Sequence, residues 1–161
     1  MSENAAAPSI DLDDIPIGLT SRTAGRTISA TEMQLIHRLS GCLSPLHVND
    51  QYCADNTPFG AAILGGGPFA GMVAAGFSDS ELYTVLREEH RIKVRSALGM
   101  TIRYRDPVLA GDTVYYVYRV ESARPSGSKP GFAVMTVGMK AENQQGRPLI
   151  EGELNFLFER A

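Results

Sequence analysis

The chain has 161 residues, of which 43% are hydrophobic and 20% charged, a composition typical of one globular domain with its own core. Its formal net charge of −3 argues against nucleic acid or an anionic membrane surface as a general partner. No apolar run reaches the roughly 18 residues of a membrane span. Two cysteines are too few for a disulfide framework, so we expect a reduced, cytoplasmic protein.

The N-terminal residues differ in composition from the rest of the chain. Residues 1–14 are small, polar or acidic, and they lack both the basic region and the apolar region of a secretory signal. We therefore expect a flexible N-terminal arm over 1–14, followed by a single domain over 15–161.

The first predicted helix has a clear start and a clear end. Ser29 and Glu32 have the spacing of a capping box, and Gly41 is a typical C-terminal signal. His37 lies on this helix, and we expect a surface or half-buried side chain because no carboxylate or cysteine stands at helical spacing from it. Asn49 is positioned to cap a second, short helix.

A second long helix is predicted to begin at Pro68, after the glycine run at 65–67, because Pro is favoured at the first position of a helix. Small residues surround its apolar stripe, so we expect a helix that is buried on most sides. The stripe consists of Phe69, Met72, Val73 and Phe77.

The rest of the chain alternates with the two-residue period of strands. Four runs are predicted, at 98–104, 112–121, 132–140 and 149–158. Helices followed by a run of strands indicate the α+β class. A long antiparallel sheet wrapped around a central helix rich in Gly and Ala describes a hot-dog fold. The strands taken alone would also suit a small β-barrel.

Three segments carry a family resemblance that extends over about residues 15–160. They read Gly-Cys-Leu-Ser-Pro-Leu-His at 41–47, Phe-Gly-Ala-Ala-Ile at 59–63 and Arg-Tyr-Arg-Asp-Pro-Val at 103–108. In this order and spacing, together with the helix that begins after Ser29, they resemble the MaoC-like dehydratase family, which includes the (R)-specific enoyl-CoA hydratases. The resemblance implies a hot-dog fold.

The resemblance also implies an activity and its partners. Family members add water to trans-2-enoyl thioesters of coenzyme A or acyl carrier protein, or remove it, and form homodimers or larger assemblies. His47 stands on the family's catalytic histidine, and Gly66 on the glycine whose N–H polarises the thioester carbonyl. Gly65 and Gly67 flank that donor and, with Ser44, complete the expected substrate-binding set. No metal, flavin or nucleotide redox cofactor is implied.

Two positions depart from the family pattern, and Ser44 and Asn49 (the latter for an Asp) are milder changes. Cys42 stands where the family has its catalytic Asp, Gly65 where it has a His at the helix start, and Ser44 where it has an Asn. A thiol with a typical pKa of about 8.5 is a weaker acceptor at neutral pH than a carboxylate with a typical pKa of about 3.9. Loss of one member of an acid–base pair commonly lowers the rate by about 10²–10⁴.

The sequence leaves three interpretations of Cys42 open. It is a small packing residue, or part of an altered acid–base arrangement around His47, or a nucleophile that His47 activates. The corresponding functions are a hydratase or dehydratase with altered activity, a catalytically degenerate subunit that binds acyl thioesters, and a thioesterase-like hydrolase. Arg103 and Arg105 are candidate ligands for a coenzyme A phosphate.

Overall fold

After two short strands, the helices come first and the four long strands last, as the sequence predicts. The computed structural model describes residues 11–160, so residues 1–10 of the predicted arm lie outside the described part. A 3₁₀ turn at Phe77–Asp79 links the last two helices. The other elements, in chain order, are β1 Thr20–Arg22, β2 Arg26–Thr27, α1 Ala30–Ser40, α2 Pro45–Val48, α3 Asp50–Asn56, α4 Gly66–Gly76, α5 Glu81–Glu88, β3 Ile92–Tyr104, β4 Thr113–Pro125, β5 Ala133–Glu142 and β6 Pro148–Arg160.

The helix boundaries follow the predicted signals, with two differences. Helix α4 begins at Gly66, two residues before the predicted start at Pro68, because Gly66 and Gly67 already belong to its first turn. The Ser29 hydroxyl accepts a hydrogen bond from the Glu32 N–H at 3.2 Å and starts α1. The Glu32 carboxylate does not complete the capping box, because it pairs with the guanidinium of Arg26 instead. Gly41 ends α1 with φ 72°, in the left-handed region that favours glycine. Asn49 caps α3 through its side-chain oxygen.

The strands form one antiparallel sheet in the order β1-β4-β5-β6-β3, and β2 also pairs with β4. The runs predicted at 112–121, 132–140 and 149–158 correspond to β4, β5 and β6. The run predicted at 98–104 is only the second half of β3, which begins at Ile92. The polar side chains of Lys93 and Arg95 hide the first half from a hydrophobicity pattern.

Helix α4 packs against one face of this sheet. The buried Tyr118 of β4 donates its hydroxyl to the backbone oxygen of Val73 in α4 at 2.5 Å, which joins helix and sheet at the centre of the core. Burial raises the pKa of Tyr118 far above its usual value, so this hydroxyl stays protonated. The layout agrees with the predicted hot-dog fold. The core on the sheet side includes Tyr116, Val120, Met135, Val137, Met139, Ile150, Leu154 and Phe158.

The prediction that α4 is buried on most sides is wrong for one face. The sheet covers only one side of the helix, and the stripe at four-residue spacing on the other side is exposed. This stripe consists of Gly67, Gly71 and Ala75.

Strand β3 is an edge strand, and its residues 95–101 are all exposed. Leu98 and Met100 are among them, with 53% and 46% of their surface accessible. Side chains that alternate with the core residues along the strands form the opposite face of the sheet. A groove of about 760 Å³ lies on this face, and its lining is rich in charged side chains. These include Arg103, Arg119, Lys140, Glu121, Glu151 and Glu153.

The end of the predicted arm contacts the sheet. Asp11 and Asp14 form ion pairs with Arg160 at the end of β6. In the described part of the chain, no helix is both long and apolar enough to cross a membrane, and no cluster of three or more His, Cys, Asp or Glu side chains is arranged to hold a metal ion.

Candidate active site

His47 lies on the short helix α2, with its ring in a fixed orientation. Pro45 supplies the first residue of this helix, where its restricted φ is favourable. The ring Nδ1 of His47 lies 2.9 Å from the backbone oxygen of Ile63. Because a carbonyl oxygen can only accept, Nδ1 carries the proton of the neutral ring. The lone pair is therefore on Nε2, which is the nitrogen available as a base.

The segment that leads into α4 has every backbone N–H satisfied. The four amides of residues 62–65 all donate, at distances between 2.8 and 3.2 Å. Such full pairing fixes the path of the backbone up to the start of the helix. In chain order, the acceptors are the Asp50 carboxylate, the Leu46 oxygen, the Val108 oxygen and Nε2 of His37.

The next two amides, those of Gly66 and Gly67, have no acceptor within residues 11–160. They are the first two N–H groups of α4, which the helix itself leaves unpaired. Eleven residues of aligned peptide dipoles place a partial positive charge at this end. The site can therefore stabilise a negatively charged oxygen at Gly66 and Gly67.

Cys42 approaches the backbone of Gly65 closely. A Cβ on Gly65 would lie 2.5 Å from Sγ of Cys42, closer than real Cβ atoms come to other atoms. The φ of Gly65 is −60°, so its conformation does not require glycine. The thiol occupies the space in which a side chain at position 65 would begin, and it makes no hydrogen bond to a ring nitrogen of His47 among the described residues.

The structure thus brings Cys42 and Gly65 together at the start of α4, and the His47 ring lies against the segment that leads to it. Ser44 lies at the edge of this group, where it precedes α2 and accepts a hydrogen bond from the His47 N–H through its backbone oxygen at 2.9 Å. Its hydroxyl is exposed and has no hydrogen-bond partner in the part of the chain that the structure describes.

The expectation that His37 is a surface or half-buried side chain is wrong. Its exposed fraction is 0%, and its Nε2 accepts the Gly65 N–H at 3.0 Å. The His37 and His47 ring centroids lie 5.4 Å apart. Burial, followed by the proximity of His47, lowers the pKa of His37, so its neutral form is favoured. The four-residue spacing from the buried Met33 was the available sequence signal for this inward face.

Tyr104, at the end of β3, covers the start of α4 from another side. A Cβ on Gly66 would lie 2.8 Å from Cζ of its ring. Its phenol is half-exposed, so it borders the site without closing it. Arg103 lines the groove on the other face of the sheet, and Arg105 pairs with Glu151. The two candidate phosphate ligands therefore point away from Gly66.

Comparison with known proteins identifies the family. The chain is 32% identical over 142 residues to an (R)-specific enoyl-CoA hydratase from Rhodospirillum rubrum, an alignment that covers 88% of this chain and 86% of the relative. The chain belongs to the MaoC-like dehydratase family. This confirms the resemblance found in the three sequence segments. No protein-family model matches the chain.

Solved structures confirm the MaoC-like hot-dog fold. A MaoC-like dehydratase from Rhodospirillum rubrum superposes with a TM-score of 0.72 and 20% identity, covering 93% of this chain and 97% of that one. A monoamine oxidase regulatory protein from Archaeoglobus superposes with a TM-score of 0.77 and 23% identity, covering 95% and 96%. The small β-barrel that the strands also suited is thereby set aside.

Two of the departures from the MaoC-like pattern are in contact. Cys42 stands at the expected Asp, Gly65 stands at the expected His, and the thiol of one packs on the backbone of the other. The imidazole beside the start of the helix comes from His37 on α1. This MaoC-like chain therefore has two imidazoles and a thiol around the start of α4.

Proposed function

We propose that the chain is a hydratase or dehydratase of 2-enoyl thioesters carried by coenzyme A or acyl carrier protein, with His47 as general acid and base. The orientation of the His47 ring is the observation that carries this proposal. Its Nδ1–H is bound to the Ile63 oxygen, which leaves Nε2 as the base, and the next residues along that segment lead to the free amides of Gly66 and Gly67.

Each step of the proposed hydration then has a group to perform it. Nε2 of His47 takes a proton from water as the water oxygen bonds to the β-carbon of the substrate. The electron pair of the double bond moves toward the thioester, and the negative charge on its oxygen is stabilised by the amides of Gly66 and Gly67. The imidazolium of His47 returns the proton to the α-carbon. Dehydration follows the same steps in reverse.

Gly65 and Cys42 have different roles in this scheme from Gly66 and Gly67. The Gly65 N–H already donates to His37, so Gly65 serves as a point of close approach rather than as an oxyanion donor. Cys42 places a thiol where the family resemblance expects a carboxylate. A neutral thiol accepts weakly from water, so we expect turnover about 10²–10⁴ times slower than with a carboxylate there.

The test is an ultraviolet assay of the conjugated enoyl thioester, with short and medium enoyl-CoAs as substrates. We expect wild-type turnover, a rate at least about 10²-fold higher for Cys42→Asp, and a loss of about 10²–10⁴ for His47→Asn. Asn is the matched change because its amide can still donate to the Ile63 oxygen while lacking a base at the position of Nε2. An unchanged rate in His47→Asn would contradict the proposal.

Two other functions are distinguished by the same samples. If neither wild type nor Cys42→Asp turns over, but a non-hydrolysable thioester analogue raises the melting temperature, the chain is a degenerate binding subunit. If chromatography detects free coenzyme A with wild type and not with Cys42→Ala, the chain is a hydrolase that uses the Cys42 thiol.

We also propose that the chain forms a homodimer through β3. An open edge with exposed apolar side chains is a template for pairing with another strand, and Leu98 and Met100 give β3 this character. Light scattering is expected to show a dimer for wild type and a monomer for Met100→Lys. Ile17→Lys is the control, because it makes the same change at an exposed hydrophobic residue outside β3. A monomeric wild type would contradict the proposal.

A further inference from the structure

His37 and His47 both form hydrogen bonds to the same short segment. His47 donates to the Ile63 oxygen at 2.9 Å, and His37 accepts the Gly65 N–H at 3.0 Å, two residues further along. The two rings lie 5.4 Å apart with a tilt of 43°. The last residues before α4 are therefore hydrogen-bonded to two adjacent imidazoles, one on α1 and one on α2.

The hydrogen bond to Gly65 fixes the tautomer of His37. Because an amide N–H is a donor, Nε2 of His37 is the unprotonated nitrogen, and the ring proton is on Nδ1. This Nδ1 is buried and has no partner within residues 11–160. Buried polar atoms without partners are rare in folded proteins. An apolar side chain would avoid this unpaired N–H but could not accept the Gly65 N–H. We therefore take the Gly65 hydrogen bond as the function of the imidazole at this position.

An imidazole at position 65 would be crowded by Cys42 in this chain. The Sγ of Cys42 fills the space in which a Cβ of residue 65 would lie, at 2.5 Å. Position 37 reaches the same backbone from α1, where its spacing from Met33 turns it inward. His37 thus supplies, from a different helix, a ring beside the residue at which the family resemblance expects a histidine.

We propose that His37 is a positioning residue of the active site, an inference that rests on the proposed hydratase or dehydratase function. By accepting the Gly65 N–H, it fixes the start of α4, so that the amides of Gly66 and Gly67 are the ones presented to the thioester oxygen. By packing against the His47 ring, it also holds Nε2 of that ring in place. His37 does not touch the reacting atoms.

The matched variants are His37→Gln and His37→Asn. Gln carries a polar atom at the position of Nε2 and can still accept the Gly65 N–H, whereas Asn carries its polar atoms only at the position of Nδ1. Gln34→Asn is the control, because it puts the same residue at an exposed position of the same helix. Denaturation curves of all three show whether each variant is folded.

The first readout does not depend on activity. Hydrogen exchange of the Gly65 amide, followed by NMR, is expected to be about tenfold faster in His37→Asn than in wild type, the change produced by loss of one hydrogen bond. His37→Gln and Gln34→Asn are expected to exchange as wild type does. Equal protection of Gly65 in His37→Asn would overturn the proposed hydrogen bond.

The second readout is kinetic. In His37→Asn we expect kcat to fall by about 10²-fold with KM within about threefold, because the reacting groups are displaced while substrate contacts remain. His37→Gln is expected to recover most of kcat. Equal kcat in wild type and His37→Asn would overturn the positioning role. A wild type without turnover would contradict the proposed function, and the exchange readout would then decide whether His37 still orders the start of α4.

Discussion

Gly65→Ala adds one methyl group at the point where the Cys42 thiol meets the backbone. The φ of −60° and ψ of 131° at Gly65 suit alanine, so the loss of chain entropy in the unfolded state would by itself stabilise the protein by about 0.4–1 kcal/mol. The new Cβ would lie 2.5 Å from Sγ, and overpacking of this kind costs about 1–3 kcal/mol. We therefore expect a net destabilisation of about 1–2 kcal/mol, or a few degrees in Tm at this chain length.

Removal of the thiol separates the clash from other effects of the methyl group. In a Cys42→Ala background, the nearest atoms to the new Cβ are the Cβ of residue 42 at 3.3 Å and Pro68 Cδ at 3.4 Å, which small shifts can accommodate. Urea denaturation of the two single variants, the double variant and wild type should give a coupling free energy of about 1–2 kcal/mol.

Gly67→Ala is the control for the added methyl group, because a Cβ there meets nothing within 4 Å. We expect this variant to be stabilised by about 0.4–1 kcal/mol. Additivity of Gly65→Ala and Cys42→Ala within about 0.5 kcal/mol would show that the thiol does not pack on residue 65. The reasoning about the shared space of these two positions would then be refuted.

Three further predictions concern pH and the start of α4. The pKa of His37 in the folded state is below 6.5, so the unfolded chain binds the proton more readily. The free energy of unfolding should therefore decrease as the pH drops from about 7 to 5, and this decrease should be smaller in His37→Gln. Burial opposes the ionisation of Glu142, but hydrogen bonds from Lys140 and Arg22 outweigh it and lower its pKa below 4.5. The free energy of unfolding should therefore decrease between about pH 5 and 3, and this decrease should be smaller in Glu142→Gln. Denaturation at each pH is the measurement. The Cβ of Gly66→Ala would lie 2.8 Å from the half-exposed ring of Tyr104, so we expect kcat to fall while Tm changes little. A fall in Tm with unchanged kcat would contradict the proposed donor role.

The features that were predicted correctly depend on local rules. Ser29 and Asn49 accept hydrogen bonds from amides three residues along the chain, and Gly41 adopts the left-handed conformation at a helix end, so neighbouring residues determine each cap. The strands β4, β5 and β6 follow a two-residue alternation that one covered face imposes. The family pattern pointed to His47 as the catalytic histidine, which no local rule could do, and this role stays a prediction; the structure places its ring against the Ile63 oxygen.

The features that were missed depend on contacts between distant segments. The partner of the buried His37 ring, the Gly65 N–H, lies 28 residues away in the sequence, so no local pattern could reveal this hydrogen bond. The exposed stripe on α4 was predicted as buried because composition does not show which side of a helix the sheet covers. The first half of β3 was missed because its charged residues face solvent, and its pairing with β6 joins residues more than 50 positions apart.

Positions 42 and 65, where the family resemblance expects an Asp and a His, are physically linked to the imidazole at position 37. A histidine introduced at position 65 alone would collide with the Cys42 thiol, and the backbone N–H of residue 65 would still be bound to His37. With a carboxylate introduced at position 42 alone, His37 would still accept the hydrogen bond from the Gly65 amide. Cys42→Asp therefore leaves the start of α4 unchanged, whereas Gly65→His disturbs it. For this reason Cys42→Asp, and not Gly65→His, is the single substitution expected to raise turnover.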